Sequence, residues 1–203
     1  MKTKKLVSLL LIVSMGVLII ACENKTISQT TNTITDTSND IKDEKVLPAY
    51  TFSDESTKEA AIYRYLIENY NDNYDGAEFD VTIPYMVIIS EDENEVLGAG
   101  WLICYNLNGT VLEMMAGGEY DGKFHFEKVA GGYNVTQFDV VGDGSEYIKT
   151  AKEIFGDKYD EFINLDEKIK EAKRKEIIAD YVKRNNLKIT AYKDYGWPEV
   201  PLN

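Results

Sequence analysis

The chain has 203 residues, with 22 Lys and Arg, 35 Asp and Glu, and one His, which gives a net charge of −13 at pH 7. From Cys22 onward it holds 19 basic and 35 acidic residues, a net charge of −16. This excess of negative charge repels phosphates and excludes a nucleic-acid-binding function. A single histidine excludes a multi-histidine metal site.

The first 22 residues have the pattern of a bacterial secretion signal. Three lysines precede an apolar run over residues 6–20, as in a secretory signal peptide. Ala21 before Cys22 resembles the lipobox of Gram-positive-type lipoproteins, in which cleavage makes the cysteine the new N-terminus and its thiol takes a diacylglycerol. The resemblance implies a lipoprotein anchored on the extracytoplasmic face of the cell membrane. An uncleaved signal anchor and an ordinary signal peptide with a coincidental cysteine are the alternatives.

A polar stretch follows the signal. Residues 24–40 consist mainly of Thr, Ser, Asn and Gln, with Ile27 and Ile34 as their apolar residues. Such a stretch cannot bury much apolar surface and predicts a flexible tether, and about 25 residues of coil span roughly 28 Å root-mean-square. The predicted organisation is a signal peptide at 1–21, a lipidated tether at 22–47 and one domain at 48–203.

The folded part begins with a helix and continues as strands. Ser56 and Glu59 match a capping box, and apolar residues recur every four positions, which predicts a helix over residues 57–71. Alternation with period two then predicts strands, with Asn108-Gly109 as a hairpin turn. We expect sequential antiparallel strands over residues 81–89, 97–107, 110–116, 124–128 and 133–141.

Helical periodicity returns after Gly142. One helix is expected to reach Phe155 and stop at Gly156, and a longer one to follow a cap near Asp166 and end at Asn185-Asn186. The longer helix is expected to bury one apolar face, formed by Ile169, Ala172, Ile177, Ile178, Tyr181 and Val182. The predicted fold class is α+β. An N-terminal helix packs on a curved antiparallel sheet of four to five strands, followed by two or three C-terminal helices.

The C-terminal segment is expected to belong to the fold, with Trp197 buried as an anchor before Pro198. The alternative is a basic helix lying on anionic lipid. Residues 166–186 hold seven basic and five acidic residues, a net charge too small for a polybasic membrane segment. We therefore expect pairing of this helix with the acidic body of the protein.

One loop has half of a calcium-binding pattern. Asn71, Asn73 and Asp75 place oxygen side chains at the first, third and fifth positions before Gly76, as in a calcium loop. The twelfth position is Thr82 rather than a bidentate glutamate. A turn built from residues that tolerate left-handed geometry explains the same pattern.

Two acidic clusters could supply paired carboxylates for acid–base chemistry. Glu91, Asp92, Glu93 and Glu95 surround a hairpin tip, and Asp139, Asp143 and Glu146 lie at a second corner. Such groups act as acid and base only when a cleft drives their pKa values apart. Since turn tips are exposed to water, we interpret both clusters as solvated surface.

Cys104 and the aromatic residues have structural and functional interpretations. Cys104 lies in an apolar run and is expected to be a buried thiol, the alternative being a nucleophile paired with His125. The 14 tyrosines, with Trp101 and Trp197, could line a sugar or peptide groove by stacking. We favour packing between helix and sheet, because Tyr85, Trp101 and Tyr105 lie on the apolar side of their strands.

Three segments carry a family resemblance. The last hairpin, over residues 124–136, looks like that of the cystatin-like or nuclear-transport-factor-like cone of many Gram-positive lipoproteins. The segment over 143–155 and the terminal Asp194-Tyr195-Gly196-Trp197 resemble uncharacterised clostridial-type extracytoplasmic domains, some of them attached to antibiotic-sensing peptidases. The resemblance covers residues 80–203, carries no catalytic motif and implies a sensor-like or binding domain.

The sequence therefore predicts a non-catalytic binding or accessory module rather than an enzyme. Nucleotide-binding, zinc-protease and serine-hydrolase motifs are absent, and no cofactor is expected. The predicted partners are the membrane, through the lipid on Cys22, and an envelope protein or small-molecule ligand. A hydrolase of envelope material that uses surface carboxylates is the alternative.

Overall fold

The computed structural model describes residues 47–74 and 79–203. The lipobox at Cys22, the tether as far as residue 46 and Asp75 of the calcium-type loop lie outside these residues. Within them, no helix is both long and apolar enough to cross a membrane.

The first helix, α1, spans Lys58–Tyr70, within the predicted range. Its N-cap is Thr57, whose hydroxyl accepts a hydrogen bond from the Ala60 N–H at 3.1 Å. The predicted cap at Ser56 is therefore wrong by one residue, because the Ser56 hydroxyl donates to Asp54 instead. Glu59 does not complete a capping box, and its carboxylate accepts from Tyr63 one turn along the helix.

Mixed helix and sheet structure confirms the α+β class, but the predicted strand count is wrong. Among the described residues, seven strands form one sheet rather than four or five. They are β1 Val81–Glu91, β2 Glu95–Asn108, β3 Val111–Glu119, β4 Gly122–Val129, β5 Gly132–Val140, β6 Ala191–Lys193 and β7 Val200–Pro201.

Three helices separate β5 from β6. They are α2 Tyr147–Phe155, α3 Tyr159–Ile163 and α4 Glu167–Arg184. The chain leaves α2 through Gly156 at φ +54°, the left-handed region that glycine tolerates. The expected order of helix, sheet and helices is thus wrong at its end, because two strands return to the sheet after α4.

Strand β2 is the centre of the sheet. It pairs with β1 along one edge, and with both β3 and β4 along the other. The pairing of β2 with β3 ends where Trp101 lies opposite Glu119, and the pairing of β2 with β4 resumes in the same register where Gly98 lies opposite Gly122. β3 and β4 are therefore two halves of one interrupted strand. The interruption lies at Tyr120 and Asp121, where the Tyr120 N–H still donates to the Gly100 carbonyl at 2.8 Å.

One of the outer strand pairs joins strands that are not consecutive in the chain. β5 pairs with β4 antiparallel, whereas β6 pairs with β3 parallel and β7 pairs with β6 antiparallel. The expectation of sequential, wholly antiparallel neighbours is therefore wrong. A parallel pair needs a long crossover connection, and the α2–α4 segment provides it.

Helix α4 covers the sheet face that carries Tyr85, Trp101 and Tyr105. Arg174 donates to the Tyr105 hydroxyl at 2.9 Å, and the Lys170 ammonium lies 5.6 Å from the centre of the Trp101 ring. The predicted apolar face of α4 is confirmed for Ile177, Ile178 and Tyr181, which are buried. Ile169 was expected on the same face but is 51% exposed.

The C-terminal segment is part of the fold, but not through Trp197. Tyr192 is 1% exposed, whereas Trp197 is 74% exposed. The predicted burial of Trp197 is wrong because a turn closes between them, with the Trp197 N–H donating to the Asp194 carbonyl at 3.1 Å. Gly196 in this turn has φ +77°, and the chain then turns back to form β7.

Candidate functional site

An open groove of about 450 Å³ separates the N-terminal half of α4 from strand β1. Ile169, Ala172, Lys173 and Glu176 line its helix side, because residues at i, i+3, i+4 and i+7 share one face of a helix. Three consecutive residues of β1, Met86 to Ile88, form the strand side. We call this feature the α4–β1 groove.

The walls of the α4–β1 groove are mainly apolar and partly accessible. Ile169 is 51% and Ile88 36% exposed, so two branched apolar side chains face solvent across the same groove. An apolar groove with a few fixed polar groups is the usual form of a binding site.

The two carboxylates of the groove form ion pairs with the same lysine. Lys173 Nζ lies 3.0 Å from Glu59 of α1 and 3.1 Å from Glu176. Burial alone would lower the pKa of Lys173, but hydrogen bonds to Glu59 and Glu176 raise it. The lysine therefore remains charged, and its ammonium links a carboxylate of α1 to one of α4.

The two predicted acidic clusters meet at the single histidine. Glu95 of the first cluster lies 3.0 Å from His125 Nδ1, and Asp139 of the second lies 2.8 Å from His125 Nε2. Hydrogen bonds from Gln137 and His125 hold the pKa of Asp139 below its usual range. This arrangement ties β2, β4 and β5 together on a partly exposed surface.

The other members of these clusters have local structural contacts. Asp92 accepts from the Asn94 and Glu95 N–H groups in the hairpin turn, and Glu91 pairs with Lys58 at 3.2 Å. Glu93, Asp143 and Glu146 are exposed. The predicted clusters thus do not line a cleft.

A carboxylate pair that the sequence analysis missed lies at the interruption between β3 and β4. Asp121 is 6% exposed and accepts from the Gly100 N–H at 3.1 Å, while Glu119 accepts from Trp101 Nε1 at 3.2 Å. Burial and the Glu119 charge raise the pKa of Asp121 to about 7, although Gly100 and Lys170 act in the opposite direction. A carboxyl that keeps its proton near neutral pH can act as a general acid where a substrate reaches it.

The described part of the calcium-type loop forms a short helical turn. Residues Asn71–Tyr74 are a 3-10 helix, and the Asn71 side-chain oxygen accepts from Thr82 at 2.8 Å. Among residues 47–74 and 79–203, no cluster of three or more His, Cys, Asp or Glu side chains is arranged to hold a metal. Asp75 lies outside these residues.

Cys104 and His125 do not form a pair. Cys104 is buried, and burial raises the pKa of its thiol, which disfavours the nucleophilic thiolate. His125 lies opposite Glu95 in β2. Cys104 is nine residues farther along that strand, about 30 Å at about 3.3 Å per residue.

The aromatic residues divide into a buried set and an exposed pair. Tyr85 stacks on Trp101 with ring centres 4.8 Å apart, and both are 7% exposed. Their expected role in packing is confirmed. Tyr195 and Trp197 in the C-terminal turn are exposed instead.

The helical spacing of the α4 residues that line the α4–β1 groove can be read from the sequence. The surface that these residues face cannot. Ile169 was assigned to the buried stripe because hydrophobicity alone does not say which side of a broad apolar face meets the sheet. No sequence pattern indicates the carboxylate pair of Glu119 and Asp121, because its position depends on the interruption between β3 and β4.

The chain matches no protein-family model, no curated protein and no solved structure. What its residues can do is therefore argued from their geometry.

Proposed function

We propose that the protein is a membrane-anchored extracytoplasmic lipoprotein that acts as a non-catalytic binding or accessory module. The lipid on Cys22 is the anchor, and the α4–β1 groove is the binding site. Its partner is an envelope protein or small-molecule ligand that places an apolar group between Ile88 and Ile169.

The observation that carries the binding role is the combination of apolar walls and an ion-paired polar rim in the groove. Glu59 and Glu176 both lie within 3.1 Å of Lys173, so the groove offers apolar contact and a fixed polar rim. These features favour binding over hydrolysis at this position.

The anchor is tested by changing Cys22 to Ala and fractionating cells that express the full chain. One acyl chain holds a protein only weakly, whereas a lipid with two or three chains holds it durably. We expect the wild type in the membrane fraction and C22A in the soluble extracytoplasmic fraction. Retention of C22A in membranes would favour an uncleaved signal anchor.

The groove is tested by a photo-crosslinking amino acid at position 169. Position 148 is the matched control, since Ile148 is 59% and Ile169 51% exposed but Ile148 lies outside the groove. We expect a discrete adduct in intact membranes from position 169, reduced by the additional change Ala172→Glu. Equal labelling from positions 169 and 148 would contradict a binding site in the groove.

The carboxylate pair at Glu119 and Asp121 favours a second candidate, a hydrolase of envelope material. A carboxyl with a pKa of about 7 beside a second carboxylate is a suitable general acid. The test is release of soluble fragments from purified peptidoglycan by the wild-type protein and by D121N. Turnover that D121N abolishes would support the hydrolase, and no turnover by either protein would reject it.

A further inference from the structure

The turn at Asp194–Trp197 exposes two large aromatic side chains. Tyr195 is 97% and Trp197 74% exposed, the highest values among the large hydrophobic residues of the described part. Aromatic side chains gain much free energy when they leave water. Two of them displayed on one turn indicate a surface that another molecule covers.

The turn is held firmly at its base. Arg174, which is 5% exposed, donates two hydrogen bonds to the Asp194 carboxylate. The Trp197 N–H closes the turn on the Asp194 carbonyl, and Gly196 has the positive φ that this geometry needs. The aromatic residues are therefore displayed by a fixed turn rather than by a loose chain end.

A methionine extends the apolar surface. Lys193 lies opposite Glu113 in the β3–β6 pairing, which brings the turn beside the next residues of β3. Met115 is 55% exposed, and Met115 and Tyr195 line the same depression of about 500 Å³. We call Met115, Tyr195 and Trp197 the aromatic patch.

The patch lies in the half of the sheet where the described chain begins. Leu47 and Ile189 line one cavity at the β2–β3 hairpin. From Ile189 to Asp194 the chain advances five residues, about 17 Å at about 3.3 Å per residue. Only 25 residues separate Cys22 from Leu47, so a lipid on Cys22 keeps a bilayer within reach of the patch.

The charge of the chain also favours this orientation. Residues 166–203, which include the turn, hold nine basic and seven acidic residues, whereas residues 48–165 hold seven basic and 23 acidic residues. An anionic bilayer repels the acidic body and leaves the C-terminal segment as the surface that can approach. Tyrosine and tryptophan are the residues that favour the membrane–water interface.

We propose that the aromatic patch inserts into the headgroup region of the bilayer and holds the domain against the membrane in one orientation. The inference rests on the proposed lipid anchor at Cys22. A lipid surface explains both the exposed aromatic side chains and their position near the start of the domain. A second copy of this chain on the patch is an outcome that the experiment below separates.

The experiment uses the full lipidated chain reconstituted into vesicles of phosphatidylcholine and phosphatidylglycerol, with or without brominated acyl chains. Trp101 and Trp197 are the only two tryptophans. Since Trp101 is buried, the bromine-sensitive fluorescence reports on Trp197. We expect a blue-shifted emission and about a twofold lower intensity in brominated vesicles, as for a ring at the interface. W197F should abolish the quenching, and the double variant M115S/Y195S should reduce it at least by half.

Vesicle-bound protein whose emission does not respond to bromine would overturn the inference and leave the lipid anchor intact. A blue shift of equal size without quenching would overturn it too, because in vesicles that hold only this chain it assigns the patch to a contact with a second copy. Failure of the anchor is measured separately, by vesicle flotation of the variant C22A/Y195S/W197S, which lacks both the lipidation site and the aromatic side chains of the patch. If this variant floats like the wild type, the proposed lipoprotein is wrong.

Discussion

The guanidinium of Arg174 donates hydrogen bonds through both terminal nitrogens to the carboxylate of Asp194, and it thereby ties the C-terminal turn to α4. Its Nε donates to the Tyr105 hydroxyl at 2.9 Å, and its Cζ lies 4.7 Å from the centre of the Tyr192 ring. A buried charge of this kind is tolerated only while its partners are in place. This ion pair thus fixes the C-terminal turn to α4, while the pairing of β7 with β6 holds the residues that follow the turn.

Removing the acidic partner should therefore be costly. Asp194→Ala leaves Arg174 buried without its counter-charge and should lower the free energy of unfolding by about 3 kcal/mol, the low end for a buried pair because Asp194 is partly exposed. Asp180→Ala is the control, since it breaks the more exposed pair with Arg184 on the same helix and should cost less than about 1 kcal/mol. Equal losses of unfolding free energy in the two variants, measured by urea denaturation, would show that the pair of Arg174 with Asp194 stabilises the protein no more than the exposed pair does.

A second prediction contrasts two aromatic residues of the C-terminal segment. Tyr192→Ala should lower the free energy of unfolding by about 3 to 5 kcal/mol, because a ring that is 1% exposed leaves a cavity. Trp197→Ala should change it by less than about 0.5 kcal/mol, as for an exposed side chain. Removal of residues 187–203 should destabilise the protein through Tyr192 and Asp194. A large loss in W197A would restore the anchoring role first expected for Trp197.

The sequence predicted the elements whose apolar pattern is long enough to specify them. The four-residue recurrence of Ile62, Leu66 and Tyr70 identified α1, and alternation along β2 identified the central strand. β6 and β7 have three and two residues, too few for a period to be read. They form because β3 offers an open edge where the chain returns from α4, which is a property of the assembled sheet.

The candidate sites were harder to predict because each depends on a partner far along the chain. His125 meets Glu95 and Asp139 only in the register of three paired strands, and a shift of one residue would turn these side chains to the other face. Glu119 and Asp121 come together with Trp101 and Gly100 because β3 and β4 share the same edge of β2. Trp197 looked like an anchor because a large apolar ring is usually buried, yet its turn projects it into solvent.

A third prediction uses two neighbouring tyrosines whose ring centres are 6.1 Å apart. Among the described residues, the Tyr50 hydroxyl is the one buried side-chain polar atom without a hydrogen-bond partner, whereas the Tyr181 hydroxyl donates to the Pro48 carbonyl at 2.7 Å. Tyr50→Phe should raise the free energy of unfolding by up to about 1 kcal/mol, and Tyr181→Phe should lower it by about the same amount. Thermal denaturation of both variants checks the sign, and destabilisation by Y50F would indicate a hydroxyl contact with solvent.

The last prediction concerns Asp121 and the dependence of stability on pH. Burial and the charge of Glu119 raise its pKa from 3.8 to about 7 in the folded protein. Between these two values the folded state binds more protons than the unfolded state, so stability falls as the pH rises. Each pH unit across this window removes about 1.4 kcal/mol at most.

Asp121→Asn should remove this dependence while it keeps an oxygen that can accept from the Gly100 N–H. We expect D121N to equal the wild type near pH 4 and to exceed it by roughly 2 to 4 kcal/mol at pH 8. Asp157→Asn, at an exposed position, is the matched control and should follow the wild-type curve. The measurement is urea denaturation of the three proteins across this pH range. A D121N curve parallel to the wild type would mean that Asp121 is ionised in the folded protein at pH 5, and the acid role suggested for it would then fail on the same data.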